Sequence, residues 1–141
     1  MDNCFGSCGC DDRQGISKSD LDRFTDKIEN VLNDEKGRRL FRNYMRTCNM
    51  KDGRKKLDVL ERIDQFINKK VEDEESALQS LLHKAQRIEE LDFALMERLY
   101  TARSSQNKEA MTEALKDLKT EIIKALDTEY DIFKKRYTPP K

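Results

Sequence analysis

An all-α fold, a compact bundle of roughly six to eight helices, is what this 141-residue sequence predicts, and three observations predict it. Apolar residues make up 36% of the chain and charged residues 40%, which suits helices with one apolar stripe and a charged outer face. That ratio leaves too little apolar material for sheets covered on both sides. The apolar positions recur every three or four residues, the helical spacing, and the stripes break about every 15 to 20 residues, too often for a coiled-coil seam. A chain of this length buries roughly 70% of the surface its unfolded form exposes, enough for one modest core.

Residues 1–18 stand apart as a flexible, cysteine-containing tail, with small residues, no periodicity, and Cys4, Cys8 and Cys10. Zinc would need a fourth ligand, and Cys48 and His83 lack the paired spacing of zinc sites. A disulfide is disfavoured in a reducing compartment. Two readings of the three thiols stay open, S-acylation (palmitoylation) and an unmodified tail. One acyl chain anchors only marginally at about 0.8 kcal/mol per buried methylene, so two or three would make a durable membrane tether. Asp2 rules out the N-myristoylation pattern.

The folded domain is expected over residues 19–138. Its first helix is capped by Ser19 and carries Leu21, Phe24, Ile28, Val31 and Leu32 on one face. A second helix starts at Asp34 and ends near Thr47, with Leu40, Phe41, Tyr44 and Met45 inward and Cys48 a small buried hydrophobe. Residues 49–53, with Gly53, read as a loop. The third helix, 54–70, carries Leu57, Leu60, Ile63, Phe66 and Ile67.

Acidic residues 72–75 then open a long helical region, since anions favour a helix N-terminus. Its stripe runs through Leu78, Leu81, Leu82, Ala85, Ile88, Leu91, Leu95 and Leu99 and drifts near residues 89–92, predicting one bent helix or two. His83, the single histidine, is expected to be interfacial or solvent-facing. Ser104, Ser105 and Asn107 form a loop, and Met111, Leu115, Leu118, Ile122, Ile123 and Leu126 make the next helix. Asp127 or Thr128 caps a last helix bearing Tyr130, Phe133 and Tyr137, and residues 139–141, with two prolines, are a short tail.

Acidic and basic side chains number 28 each, and their signs alternate, so no nucleic-acid partner is expected. The small clusters Arg54/Lys55/Lys56 and Lys134/Lys135/Arg136 read as solvated helix ends. No run reaches the ~20 apolar residues of a membrane span, and no secretory signal opens the chain. An intracellular protein is expected, cytoplasmic or on the cytoplasmic face of a membrane. The phosphate-binding, metalloprotease and nucleophile-elbow motifs are missing, so no enzyme activity, cofactor, metal or small-molecule substrate is expected.

The stretch 37–67, GRRLFRNYMRTCNMKDGRKKLDVLERIDQFI, resembles the central helix pair of the regulator-of-G-protein-signalling (RGS) homology domain. There a Gly-x-x-x-Phe-x-x-Phe helix precedes a Leu-Asp-Phe-Trp helix. Gly37, Leu40, Phe41 and Tyr44 match the first and Leu57 and Asp58 the second, with Val59 and Leu60 where the family has Phe-Trp. The closing EIIKALDTEYDIFKKRY is similar to the family's last segment through Ile122, Leu126, Tyr130 and Phe133. The likeness covers residues 20–137, and one subfamily also carries a cysteine string ahead of the domain.

This resemblance implies an RGS-like fold that binds a G-protein α subunit and braces its switch regions near the transition state. Carried over by position, the partner-binding residues are Lys56, Thr128 and Ile132, where the family has Asn, Asp and Arg. Asn107 is the loose candidate for a further loop Asn. Losing an amide, a carboxylate and a guanidinium removes polar contacts worth roughly 1 to 3 kcal/mol each. The expectation is therefore a protein-interaction domain for a Gα subunit or a diverged partner, with weak or lost GTPase acceleration. The alternative is a helical adaptor or structural bundle without a G-protein role.

Overall fold

The computed structural model describes residues 15–138; Cys4, Cys8 and Cys10 lie outside them. Among the described residues the chain is all-α, with no strand. Its helices are α1 (Lys18–Phe24), α2 (Ile28–Leu32), α3 (Glu35–Thr47), α4 (Lys51–Ile67), α5 (Glu74–Ala85), α6 (Phe93–Ser105), α7 (Lys108–Ala125) and α8 (Asp127–Tyr137).

Local chemistry explains where these boundaries differ from the sequence expectation. The first helix is capped by Ser17, not Ser19, because Asp20 sits at the position that completes a capping box. The Ser17 hydroxyl accepts from the Asp20 N–H at 3.0 Å, and the Asp20 carboxylate accepts from the Ser17 N–H at 3.1 Å. The single expected helix is two, α1 and α2. Thr25 turns its hydroxyl back onto the Leu21 carbonyl at 2.8 Å, and Asn30 donates to the Arg23 carbonyl at 2.9 Å, so side chains satisfy the broken turn. Asp34 caps α3 as expected, accepting from the N–H groups of Lys36 and Gly37 at 2.7 and 3.2 Å.

The α3–α4 connection is shorter than the sequence suggested. Asn49 adopts a left-handed conformation (φ 57°), the Met50 N–H reaches the Met45 carbonyl at 2.7 Å, and the Asn49 N–H reaches Arg46 at 3.1 Å. That is a Schellman turn with Asn where glycine is usual. Helix α4 begins at Lys51, so Gly53 lies inside it. The long central region is two helices, α5 and α6, each capped by an aspartate, Asp73 and Asp92. Helix α6 runs on through Ser105, and Asn107 caps α7 through the Ala110 N–H at 3.0 Å. Helix α8 follows Leu126 directly, and neither Asp127 nor Thr128 caps it.

The chain divides into two compact units. One comprises the residues up to Arg54 and from Leu126 onward; the other is Lys55–Ala125.

In the first unit α3 packs on α2 and α8, and α1 on α2. Its centre is aromatic. The Phe41 ring meets Phe133 edge-on at 5.0 Å, Tyr44 meets Phe133 at 5.8 Å, and Phe133 meets Tyr137 at 4.9 Å, contacts each worth about 0.5–1.5 kcal/mol beyond the area they bury. The Tyr130 hydroxyl donates to the Phe24 carbonyl at 2.7 Å, tying the last helix to the first. Burial, with Asp26 and Glu29 nearby, pushes that phenol up to about 12. Gly37 lets α3 approach α2: a Cβ there would sit 2.7 Å from the Val31 carbonyl oxygen.

The second unit holds α4 beyond its first turn together with α5, α6 and α7; α6 packs closely on α7. Leu57, Leu60, Ile63, Leu81, Leu99, Leu115, Leu118 and Ile122 are all buried. Phe66, Ile67, Leu91 and Ile123, expected in stripes, are only half-buried.

Candidate functional site

A shallow cleft of about 480 Å³ opens in the first unit between the α3–α4 turn and the first turns of α8. Asn49, Met50, Lys51, Asp52 and Gly53 line one side and Thr128, Glu129 and Ile132 the other. The two sides meet so closely because Gly53 has no side chain. A Cβ built there would lie 2.5 Å from the Met45 sulfur and 2.9 Å from Glu129 Cγ, so Gly53 is a close-approach glycine and not a loop residue.

Ile132 is 40% exposed and, with Phe93 and Tyr100, is one of three exposed large apolar side chains among the described residues. Met50 is half-buried next to it, and Lys51, Asp52 and Thr128 are exposed around them. Met50 and Ile132 thus give the cleft a small apolar pair inside a polar rim. Neither a nucleophile paired with a base nor a convergent set of ligands lines it.

Of the four candidate partner contacts, the structure brings Thr128 and Ile132 together on this cleft. Lys56 and Asn107 belong to the second unit. Lys56 is turned inward, 2% exposed, with its ammonium 2.6 Å from the Glu90 carboxylate and donating to the Ala125 carbonyl at 3.0 Å. The Lys56 hydrogen bond holds the Glu90 carboxyl below its ordinary range. A cation on the last carbonyl of α7 also complements the negative end of that helix. Lys56 is thus an internal tie between α4, the 86–92 connection and the end of α7, and its charge is not presented to a partner.

Asn107 lies at the other end of α7, about 27 Å along an 18-residue helix. Its side chain is used as the α7 cap, and it borders a wider groove of about 730 Å³ floored by Phe66, Ile67, Leu78, Ala102 and Met111. His83 is exposed on α5. It borders a polar depression with Ser76, Ser80 and Tyr100, where the Tyr100 hydroxyl donates to Gln86 at 2.8 Å. Cys48 is half-buried at the end of α3. Among the described residues no group of three or more His, Cys, Asp or Glu is placed to hold a metal ion, and no helix is long and apolar enough to cross a membrane.

Sequence reasoning missed the turn residues 49–52 and Glu129 as neighbours of Thr128 and Ile132. Gly53 was the available signal, since a glycine within a helical pattern marks either a break or a close approach. Glu90 as the partner of Lys56 had no signal beyond the drifting stripe around it.

Compared with family models, with curated proteins and with solved structures, the chain finds no match in any of the three.

Proposed function

We propose that this chain is an RGS-like protein-interaction domain that binds a G-protein α subunit or a diverged partner and does not itself catalyse a reaction. We further propose that acylation of Cys4, Cys8 and Cys10 tethers it to the cytoplasmic face of a membrane. The observation that carries the reading is the cleft itself. Thr128 and Ile132, the two α8 positions that the resemblance assigns to partner binding, share one patch with the α3–α4 turn. Support also comes from the division of the chain into one unit built from both of its ends and one built from four central helices.

Thr128 and Ile132 supply neither the carboxylate nor the guanidinium of the accelerating family members, and Lys56 is occupied internally. Binding without strong GTPase acceleration follows.

The test is binding of the full chain to a panel of Gα subunits in GDP, GTP-analogue and transition-state-analogue states, with single-turnover GTPase measured alongside. Binding is expected to fall at least tenfold in Ile132→Glu, as for an interface anchor. Thr128→Asp with Ile132→Arg is expected to raise GTPase acceleration. No binding to any nucleotide state would remove the G-protein reading and leave the helical adaptor. Thioester-sensitive labelling at Cys4, Cys8 and Cys10 in cells tests the tether.

A further inference from the structure

Helix α6 carries apolar side chains on both of its faces. Leu95, Met96, Leu99 and Ala102 are buried, while Phe93 and Tyr100 lie on the opposite side, 76% and 38% exposed. Seven residues make nearly two full turns, so the two rings project from one line of the helix, about 10 Å apart along its axis. Ala94, Glu97, Thr101 and Ser104 on that side are exposed as well. Apart from Ile132 in the cleft, these two rings are the exposed large apolar side chains among the described residues. A helix that is apolar on both sides belongs in an enclosed setting, and this one is enclosed on one side. Tyr100 also borders the depression, about 530 Å³, that Ser76, Ser80, His83 and Gln86 line with it, so the face has a concave margin between α5 and α6.

The charges around the rings select the partner. Within residues 86–98, Glu90 is taken by Lys56 at 2.6 Å and Arg98 by Asp117 at 2.9 Å. Glu89, Asp92 and Glu97 have no cationic partner among the described residues, against one remaining cation, Arg87. Asp92 immediately precedes Phe93, and Glu97 stands between the two rings on their side of the helix. Arg103, beside Tyr100, is already bound to Glu75. Aromatic rings among free carboxylates are complementary to an apolar surface flanked by Lys or Arg. The same carboxylates repel an anionic membrane and a nucleic acid. A second copy of the chain fits poorly too, because a two-fold pairing that stacks Phe93 on Tyr100 brings the two Glu97 carboxylates together.

We infer that this face of α6 docks a basic amphipathic helix of another protein, whose apolar stripe covers Phe93 and Tyr100 and whose lysines or arginines meet Glu89, Asp92 and Glu97. Rings one heptad apart match a partner whose apolar residues recur every three or four positions, the pattern of helix recognition. The face lies in the second unit and shares no residue with the cleft, so it stands independently of the G-protein reading.

The test titrates the full chain by calorimetry with two model peptides of about 18 residues, long enough to hold a helix. One is built of Leu and Lys with Leu every three or four positions, the other has Glu in place of Lys. The Leu/Lys peptide is expected to bind at least about tenfold more tightly than the Leu/Glu peptide, and Phe93→Ser/Tyr100→Ser should weaken it at least about tenfold, as for buried aromatic anchors. Glu89→Gln/Glu97→Gln should weaken it on the order of fivefold, while Glu109→Gln/Glu113→Gln on α7, with the same loss of charge, should change it little. Circular dichroism melting checks that the variants fold, and Phe93→Ser alone, at the most exposed ring, serves if the double variant does not. No binding of the Leu/Lys peptide, equal binding of the two peptides, unchanged binding in the ring variant, or an equal loss in the α7 variant would overturn the inference. So would a dimer of the full chain in sedimentation that Phe93→Ser breaks, or anionic vesicles that hold the chain through Phe93 more tightly than the peptide does, since either gives the face a different occupant.

Discussion

Gly37 has no room for a methyl group. The Cβ of an alanine there would press on backbone, 2.7 Å from the Val31 carbonyl oxygen and 2.9 Å from Val31 Cα, so no side-chain rotation relieves it. Alanine is favoured over glycine in a helix by about 1 kcal/mol, yet Gly37→Ala is expected to cost about 1–3 kcal/mol by overpacking, read as a lower urea midpoint. Tyr130 gives a prediction in pH. Its phenol titrates near 10 in the unfolded chain and near 12 when folded, so the unfolded form loses its proton first. This contribution is fully present below pH 10 and is lost as pH rises toward 12. In Tyr130→Phe that loss should disappear, at a fixed cost of about 1–3 kcal/mol for the Phe24 carbonyl left buried without its donor.

Lys56→Met should cost a similar amount, about 1–3 kcal/mol, because the Ala125 carbonyl loses its donor. Glu90 in the wild type has a depressed folded value, so the pair's contribution is present above the ordinary carboxylate range and lost as pH falls. The variant should lack that acid dependence. Gly37 was put forward only by the family resemblance, whereas Phe41 was legible in the sequence, since spacing sets it on an inward face. Lys56 was not: a lysine in a charged helix reads as surface, and what buries it is a carbonyl 69 residues away.

Helix ends carry the next set of expectations. Among the described residues, three connections turn on a non-glycine residue in the left-handed region, Asn49, Lys69 and Gln106. Lys69 and Gln106 each sit in a Schellman pattern, with the following N–H reaching back to Gln65 and Ala102 at 2.9 and 3.2 Å. Side chains other than glycine and asparagine pay strain of about 1 kcal/mol in that conformation. Lys69→Gly and Gln106→Gly are therefore expected to stabilise by about 0.5–1 kcal/mol each, measurable by thermal melting. The same chemistry explains what a sequence reading catches at this scale. Existence and order of the amphipathic helices followed from stripes such as Leu40/Phe41/Tyr44/Met45. Boundaries did not: Asn49 lay in the expected loop, but Gly53, read as part of it, sits inside α4, and the turns at Lys69 and Gln106 use residues without a breaker signature.

For the whole molecule, the all-α fold was set by composition and spacing together. No local motif announced the pairing of α8 with α3, whose rings come from opposite ends of the chain. That pairing gives a decisive truncation. Removing the residues after Ala125 takes away the rings that meet Phe41 and Tyr44 and the donor to Phe24. The amides of α1 to α3 should then lose their protection from hydrogen exchange, with new binding of a hydrophobic dye. The candidate cleft belongs to this scale too. Its two walls are separated by some 75 residues of chain, so no local motif announced them as neighbours, and only the family resemblance put Thr128 and Ile132 forward.

Because α8 completes the first unit, synthesis on the ribosome leaves that unit unfinished for a time. At about 5–20 residues per second, the interval between Tyr44 and Phe133 is on the order of ten seconds. Throughout it the nascent chain displays a sticky aromatic face with nothing from α8 to cover it, a natural substrate for chaperones.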